Sequence, residues 1–154
     1  MKYIFLLIIL FTVNSYSQDL INQNQKNKLE IIKKEVKESI DAFAFDEDSN
    51  KRRYKVVFEG NYMRLLIMKR NGSAPINKGI VFDFATVYKF DPVSKRRGNV
   101  AYVNIWIASS TKKEGFKWKK RKLIMKVYSY ENADEMMSLL KEYHDILINS
   151  KKKA

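Results

Sequence analysis

The sequence predicts an α+β fold, with an N-terminal amphipathic helix, an antiparallel sheet of five to six strands or a partly open barrel, and a C-terminal helix. Two observations predict this order. Apolar residues recur at steps of three and four near both ends of the chain, but alternate with polar residues in the middle. All five glycines lie between the alternating segments, where they are typical of turns. We therefore expect one domain with a single core.

The leading helix is predicted over Ile21 to Phe45. Its apolar face consists of Leu29, Ile32, Val36, Ile40 and Phe43. The acidic stretch from Asp46 to Asn50 ends the pattern, and we expect it to form a solvated loop.

Five alternating segments follow and predict the strands: Arg53 to Glu59, Tyr62 to Arg70, Ile80 to Phe90, Asn99 to Ser109 and Trp118 to Tyr130. The pair Gly60-Asn61 suits a tight hairpin turn between the first two. Ile80 to Phe90 is apolar on both faces and is interrupted by Asp83, so it forms either one bent strand or two short ones. The choice sets the direction of every later strand.

The final helix is predicted to begin at Asn132. This residue can cap a helix, and Glu135 lies three positions later, which is a variant of the capping box. The predicted buried face consists of Met136, Leu140, Tyr143 and Leu147.

The N-terminus has the pattern of a secretory signal peptide. Met1 and Lys2 precede a mostly apolar run of eleven residues, too few for the roughly 20 that span a bilayer. Ser15 and Ser17 supply the small residues that precede a cleavage site. We therefore expect a signal peptide at 1–17, a helix and acidic loop at 18–49, and a strand-rich domain at 50–154. The mature chain would have no transmembrane helix and would be periplasmic or secreted.

The stretch from Tyr54 to Leu147 resembles the pleckstrin-homology-like superfold, including its GRAM-type variants. The likeness lies in the hairpin from Tyr54 to Met68, in the Ile80 to Tyr88 segment, and in a helix directly after the last strand. The resemblance implies a partly open barrel that the final helix plugs at one end. A cystatin-like α+β roll is the alternative, and it explains the leading helix better and the final helix less well.

The resemblance does not extend to lipid recognition. Lipid-binding members carry a longer first hairpin loop with spaced basic residues. Here the loop from Glu59 to Tyr62 is short and has none.

Composition excludes several classes of function. The chain has no cysteine and a single histidine, which excludes disulfide scaffolds, thiol catalysis and zinc fingers. It has no glycine-rich nucleotide motif and no nucleophile elbow. We therefore expect no cofactor, no metal and no catalytic residue, with His144 an ordinary surface or boundary histidine. A small hydrolase that pairs Asp83 with an acid between Asp46 and Asp48 is a remaining alternative.

Positive charge is the strongest functional signal. The chain has 30 Lys and Arg against 17 Asp and Glu, and the basic residues cluster at 51–55, 95–97, 112–113 and 117–122. Cations beside an exposed aromatic ring can bind phosphates, sulfates or acidic sugars. The candidate ligand-binding residues are Arg52, Arg53, Lys117, Trp118, Lys119, Lys120 and Arg121.

The grouping of these clusters depends on the strand from Ile80 to Phe90. If it is one strand, Arg53 and the 110–119 loop lie at the same end of the sheet and 95–97 at the other. Two strands would reverse the later assignments. Tyr102, Asn104 and Trp106 share one strand face, which we expect to pack in the core.

The sequence therefore predicts an exported, non-catalytic binding domain. Its partner would be an anionic polymer or envelope component, such as a polysaccharide, lipopolysaccharide or nucleic acid. An envelope module that docks a protein partner through a strand edge is the main alternative.

We predict that the mature protein begins at Gln18, because Ser15 and Ser17 occupy the positions that a signal peptidase inspects. The intact mass of protein recovered from the periplasm or the medium checks this. Retention of Met1 to Ser17 in the exported protein would contradict it.

Overall fold

The computed structural model describes residues 2–47, 51–110 and 118–152, with side chains in 23–47, 51–108 and 121–151. The elements are α1 (Lys2–Phe43), β1 (Ala44–Phe45), β2 (Tyr54–Glu59), β3 (Tyr62–Ile67), β4 (Ile80–Asp83), a 3-10 turn (Phe84–Thr86), β5 (Val87–Phe90), β6 (Ser94–Arg96), β7 (Val100–Ser110), β8 (Trp118–Tyr128) and α2 (Tyr130–Lys152). The α+β class and the order of helix, strands and helix are confirmed. None of the helices in the described part of the chain is long and apolar enough to cross a membrane.

The strands form two antiparallel sheets. The larger sheet has the order β1-β8-β7-β5, with β6 also paired to β7, and the smaller sheet has the order β2-β3-β4. In the described part of the chain, a bridge between Phe45 and Arg53 links the two sheets. The strands do not close into a barrel. The pleckstrin-homology-like resemblance and the cystatin-like alternative both stay predictions.

The segment from Ile80 to Phe90 is two strands, and each belongs to a different sheet. The side chain of Asp83 accepts a hydrogen bond from the backbone N–H of Ala85 at 3.1 Å, and its carbonyl accepts one from the Thr86 hydroxyl at 2.7 Å. These bonds stabilise the 3-10 turn that carries the chain from β4 to β5. The buried ring of Phe84 anchors this turn in the core.

The core lies on the inner face of the large sheet. Its strand residues alternate along β7 and β8 and are Ala101, Val103, Ile105, Ile107, Leu123, Met125 and Val127. The apolar face of α2 packs against these strands. The residues predicted for this face are all buried: Met136, Leu140, Tyr143 and Leu147.

Helix α1 is part of this core. Ile32, Val36 and Ile40 are buried as predicted, whereas Phe43, at the end of the helix, is 37% exposed and does not belong to the buried face. A side-chain oxygen of Asp41 accepts a hydrogen bond from the backbone N–H of Val56 at 2.8 Å. This bond ties α1 to the outer edge of β2.

The leading helix ends two residues before the predicted Phe45. Ala44 and Phe45 form β1 and pair with β8. Asp46 is 8% exposed, its backbone N–H donates to the carbonyl of Arg52, and its carboxylate lies 3.8 Å from the Arg52 guanidinium. Asp46 is therefore not a solvated loop residue, because this pairing holds it against the sheet. Glu47 lies in a turn and is exposed, as expected of the predicted loop, and residues 48–50 lie outside the described part of the chain.

Helix α2 begins at Tyr130, before the predicted start. Ser129 has a positive φ of 66°, and its hydroxyl accepts a hydrogen bond from the backbone N–H of Asn132 at 3.2 Å. The Asn132 side chain instead donates to the carbonyl of Tyr128 at 3.0 Å. The prediction of Asn132 as the cap was wrong because Ser129 supplies the capping oxygen one turn earlier.

Tyr143 joins α2 to the β2–β3 hairpin. Its hydroxyl donates to the carbonyl of Asn61 at 3.0 Å, and its ring meets that of Phe58 edge to face. Burial, with the nearby negative charges of Asp83 and Glu30, raises the pKa of Tyr143 well above its ordinary value. The hydroxyl therefore stays protonated and keeps its hydrogen bond.

We predict that Ile40→Ala lowers the free energy of unfolding by about 2–5 kcal/mol, because it leaves a cavity in the core. Ile31→Ala is the matched control on the same helix. Ile31 is 59% exposed, so its loss should change stability by less than about 0.5 kcal/mol. Urea unfolding of both variants measures the difference. Equal, small effects would show that α1 does not contribute to the core.

Candidate anion-binding site

The outward face of the large sheet carries polar and aromatic residues. Along β7, Tyr102, Asn104 and Trp106 alternate with the buried aliphatic residues and are only partly buried. The prediction that they pack in the core was wrong. Successive residues of a strand face opposite sides of the sheet, and here the aliphatic residues face the core while Tyr102, Asn104 and Trp106 face outward.

Three partners on β8 complete this face. Lys126 lies opposite Tyr102, Ile124 opposite Asn104, and Lys122 opposite Trp106: these pairs are set by the antiparallel register. Directly opposed residues share a face. Two lysines therefore lie beside two aromatic rings.

An open groove of about 700 Å³ runs along this face. Its lining residues are Glu47, Ser94, Arg96, Arg97, Tyr102, Asn104, Lys122 and Ile124. Three of them are cations and one is a carboxylate. The groove is therefore positively charged.

Strand β6 and the turn after it bring two arginines to the groove. Arg96 lies opposite Val100, and Arg97, Gly98 and Asn99 make the turn between them, with φ of 76° at Gly98 and 56° at Asn99. Glycine and asparagine tolerate these left-handed conformations. The carbonyl of Asn99 accepts a hydrogen bond from the N–H of Ser129 at 2.9 Å, which links the turn to the start of α2. The sequence predicts only a basic loop at 95–97, because a three-residue strand is too short to show alternation.

Asp91 holds Trp106 at the edge of the same face. Its carboxylate accepts a hydrogen bond from the indole N–H of Trp106 at 2.9 Å and forms an ion pair with the amine of Lys89 at 2.8 Å. The amine of Lys122 lies 5.2 Å from the centre of the Trp106 ring and 3.9 Å from Asp91. The hydrogen bond from Lys89, followed by that from Trp106, lowers the pKa of Asp91. Asp91 therefore stays ionised and fixes the orientation of the indole.

A second aromatic cluster covers the β1 side of this face. Phe45 pairs with Lys126, and its ring meets that of Tyr128 edge to face at 4.6 Å. The guanidinium of Arg53 lies 5.2 Å above the Phe45 ring. Arg53 is thereby placed where the two sheets meet.

The predicted ligand-binding residues do not come together. Arg52 and Arg53 are exposed and lie near the Lys126 end of β8, whereas Arg121 is exposed and lies opposite Ile107. Arg121 and Lys126 are five positions apart, which is about 17 Å along a strand. Phe45 causes this separation, because it pairs with Lys126 and also bridges Arg53, which places the start of the small sheet at that end of β8.

The rest of the predicted set lies at the start of β8. Its backbone pairs Trp118 with Ser110, Lys119 with Ser109 and Lys120 with Ala108. The side chains of these three residues, and the whole of Lys117, lie outside the described residues. The groove residues Arg96, Arg97, Tyr102 and Asn104 were not among the predicted ligand contacts, although the alternation of β7 is the signal that places two of them.

The candidate acid–base residues have structural partners. The Nδ1 atom of His144 lies 2.9 Å from the carbonyl oxygen of Phe84, so Nδ1 carries the proton and donates. The ring also meets that of Phe90 edge to face. Asp83 caps the 3-10 turn and lies 3.3 Å from the amine of Lys151. Within the described ranges, no group of three or more His, Cys, Asp or Glu is placed to hold a metal ion.

Comparisons of the chain with protein-family models, with curated proteins and with solved structures found no match.

Proposed function

We propose that this protein is an exported, non-catalytic binding domain that holds an anionic polysaccharide in the groove of its large sheet. Lipopolysaccharide and nucleic acid carry the same sign of charge and are the other polymers to test. The observation that carries the proposal is the lining of the groove, where three cations and one carboxylate surround Tyr102 and Asn104.

The two arginines give the groove its capacity for anions. In the described part of the chain, neither Arg96 nor Arg97 has a carboxylate partner, and both are exposed. A guanidinium presents a planar set of N–H donors that matches carboxylate, sulfate and phosphate oxygens. These side chains can therefore bind a ligand without first breaking an ion pair.

The neutral residues supply contacts that a purely electrostatic surface lacks. Tyr102 offers a ring and a hydroxyl, and Asn104 offers an amide that can both donate and accept. Trp106 lies next to Lys122, and its orientation is fixed by Asp91. Rings beside hydrogen-bonding groups are suited to a sugar, which has an apolar face and hydroxyls at its rim.

The shape of the site favours a polymer. The groove is open to solvent along the sheet, and its lining comes from three strands, from Arg97 after β6 and from Glu47 after β1. A chain of sugars can lie along it without an end having to enter a closed cavity. The proposal includes export, which rests on the pattern of residues 1–17.

A strand edge supports docking of a protein as the second candidate. Among the described strands, β4 pairs only with β3, and its residues Ile80 and Val81 are 48% and 41% exposed. An exposed edge can accept a further strand from a partner. Such pairing depends little on salt, whereas binding of a polyanion weakens steeply as salt rises.

We predict that replacing Arg96, Arg97 and Lys122 by Gln weakens heparin binding. If each residue makes one ionic contact, the dependence of log K on log salt should become shallower by up to about three units. A salt titration followed by calorimetry or fluorescence measures affinity and slope together.

The matched control removes the same charge elsewhere. Lys26, Lys34 and Lys141 are exposed on the two helices, and their replacement by Gln should lower affinity much less. Equal losses in the two triple variants would indicate net charge alone and would contradict a site in the groove. A third variant, with Lys119, Lys120 and Arg121 changed to Ser, tests the start of β8. If only this variant loses binding, the ligand site lies there and not in the groove.

A further inference from the structure

A second basic cavity lies between the start of β2 and the end of β3. It has a volume of about 270 Å³, and its charged lining residues are Asp41, Lys51, Arg53, Lys55, Lys69 and Arg70. Five cations therefore meet one carboxylate in a small space. Most of these residues lie on the smaller sheet and its loops, away from the groove.

The single carboxylate is already engaged. Asp41 accepts the backbone N–H of Val56 at 2.8 Å and pairs with Lys37 on its own helix. Within the described residues, no ion pair joins a carboxylate to Lys55, Lys69 or Arg70. The cavity thus keeps an excess of positive charge, and like charges held close together repel one another.

The backbone holds the walls of the cavity in place. The N–H of Met68 donates to the carbonyl of Arg53 at 2.9 Å, which fixes the start of β2 against the end of β3. In the loop that follows, the N–H of Lys69 donates to Ala74 and the N–H of Gly72 donates to Lys69, both at 2.8 Å. The cations therefore project from hydrogen-bonded backbone, so that a ligand meets a partly formed site.

Asn71, in the loop after β3, adds an uncharged hydrogen-bond donor to the cavity. The side-chain oxygen of Asn71, which lines the cavity, accepts hydrogen bonds from the N–H and the hydroxyl of Ser73 at 3.1 and 2.7 Å. This orients the side chain and leaves its NH₂ group as a donor. The side chains of Lys55, Lys69, Arg70 and Asn71 can therefore all donate hydrogen bonds to an anion in the cavity.

We propose that this cavity binds a compact oxyanion: a phosphoryl or sulfuryl group, free or at the end of a larger molecule. Two features favour a small anion over a polymer. The volume is below the roughly 300–1,000 Å³ of sites that enclose whole drug-sized ligands. The aromatic residue in its lining, Tyr54, is 7% exposed and offers no open ring for a sugar or base. The site is separate from the groove and does not depend on its function.

The test is calorimetry on the full chain, with inorganic phosphate and inorganic sulfate as probes in a buffer free of both. We expect saturable binding of at least one probe at one site per chain. The variant with Lys69→Gln and Arg70→Gln should bind at least tenfold more weakly, because two unpaired cations are lost. Both residues are exposed, so the variant should unfold at the same temperature as the unchanged protein.

The matched control is the variant with Arg96→Gln and Arg97→Gln, which removes the same charge from the groove. The groove variant should bind phosphate and sulfate normally and heparin weakly. The cavity variant should bind phosphate and sulfate weakly and heparin normally. The two proposals can therefore fail separately. Equal loss of probe binding in both variants, or no saturable binding by the unchanged protein, would overturn the site.

The pH dependence distinguishes a phosphoryl from a sulfuryl ligand. Inorganic phosphate gains a proton and loses its second charge as the pH falls from neutral into the mildly acidic range, whereas inorganic sulfate keeps both charges. Binding of phosphate that weakens through this range, with no binding of sulfate, assigns the cavity to phosphoryl groups. Equal binding of phosphate and sulfate at neutral pH would show that the cavity accepts either oxyanion.

Discussion

The pairing of β7 with β8 is the constraint on which the rest of the structure depends. Both strands have eleven residues, and their register runs without interruption from Val100–Tyr128 to Ser110–Trp118. The period of two gives each strand an aliphatic face and a polar face. The aliphatic face receives α2 and builds the core, so the polar residues are left on the outside. The core and the candidate site therefore lie on opposite faces of the paired strands β7 and β8.

Strand pairing decides which charges meet. β6 pairs with the start of β7, so Lys95 and Arg96 lie at the end of the large sheet where Phe45 bridges Arg53. The basic run at the start of β8 pairs with the end of β7 and lies at the far end. The register of the large sheet thus determines its electrostatic layout.

Periodicity in the sequence was sufficient to predict the fold class, the order of elements and the buried face of α2. It failed where two readings had similar local patterns. In β7 both faces carry residue types that often pack in cores. The structure places the aliphatic face in the core, which leaves Tyr102 and Trp106 on the outer face. Ser129 and Asn132 can both cap a helix, and only the path of the chain after β8 selects Ser129. The candidate site depends on the register of β6, β7 and β8, which no single segment of the sequence encodes.

The most direct test of this account is a two-dimensional ¹H–¹⁵N NMR titration with a heparin tetrasaccharide. The account predicts saturable shifts of the side-chain N–H signals of Trp106 and Asn104, together with the backbone amides of Arg96 and Arg97. Amides in the buried part of α2, such as that of Leu140, should stay unchanged. Shifts confined to other basic segments, with Trp106 and Asn104 unaffected, would contradict the claim that the polar side of the β7–β8 ladder is the ligand-binding face.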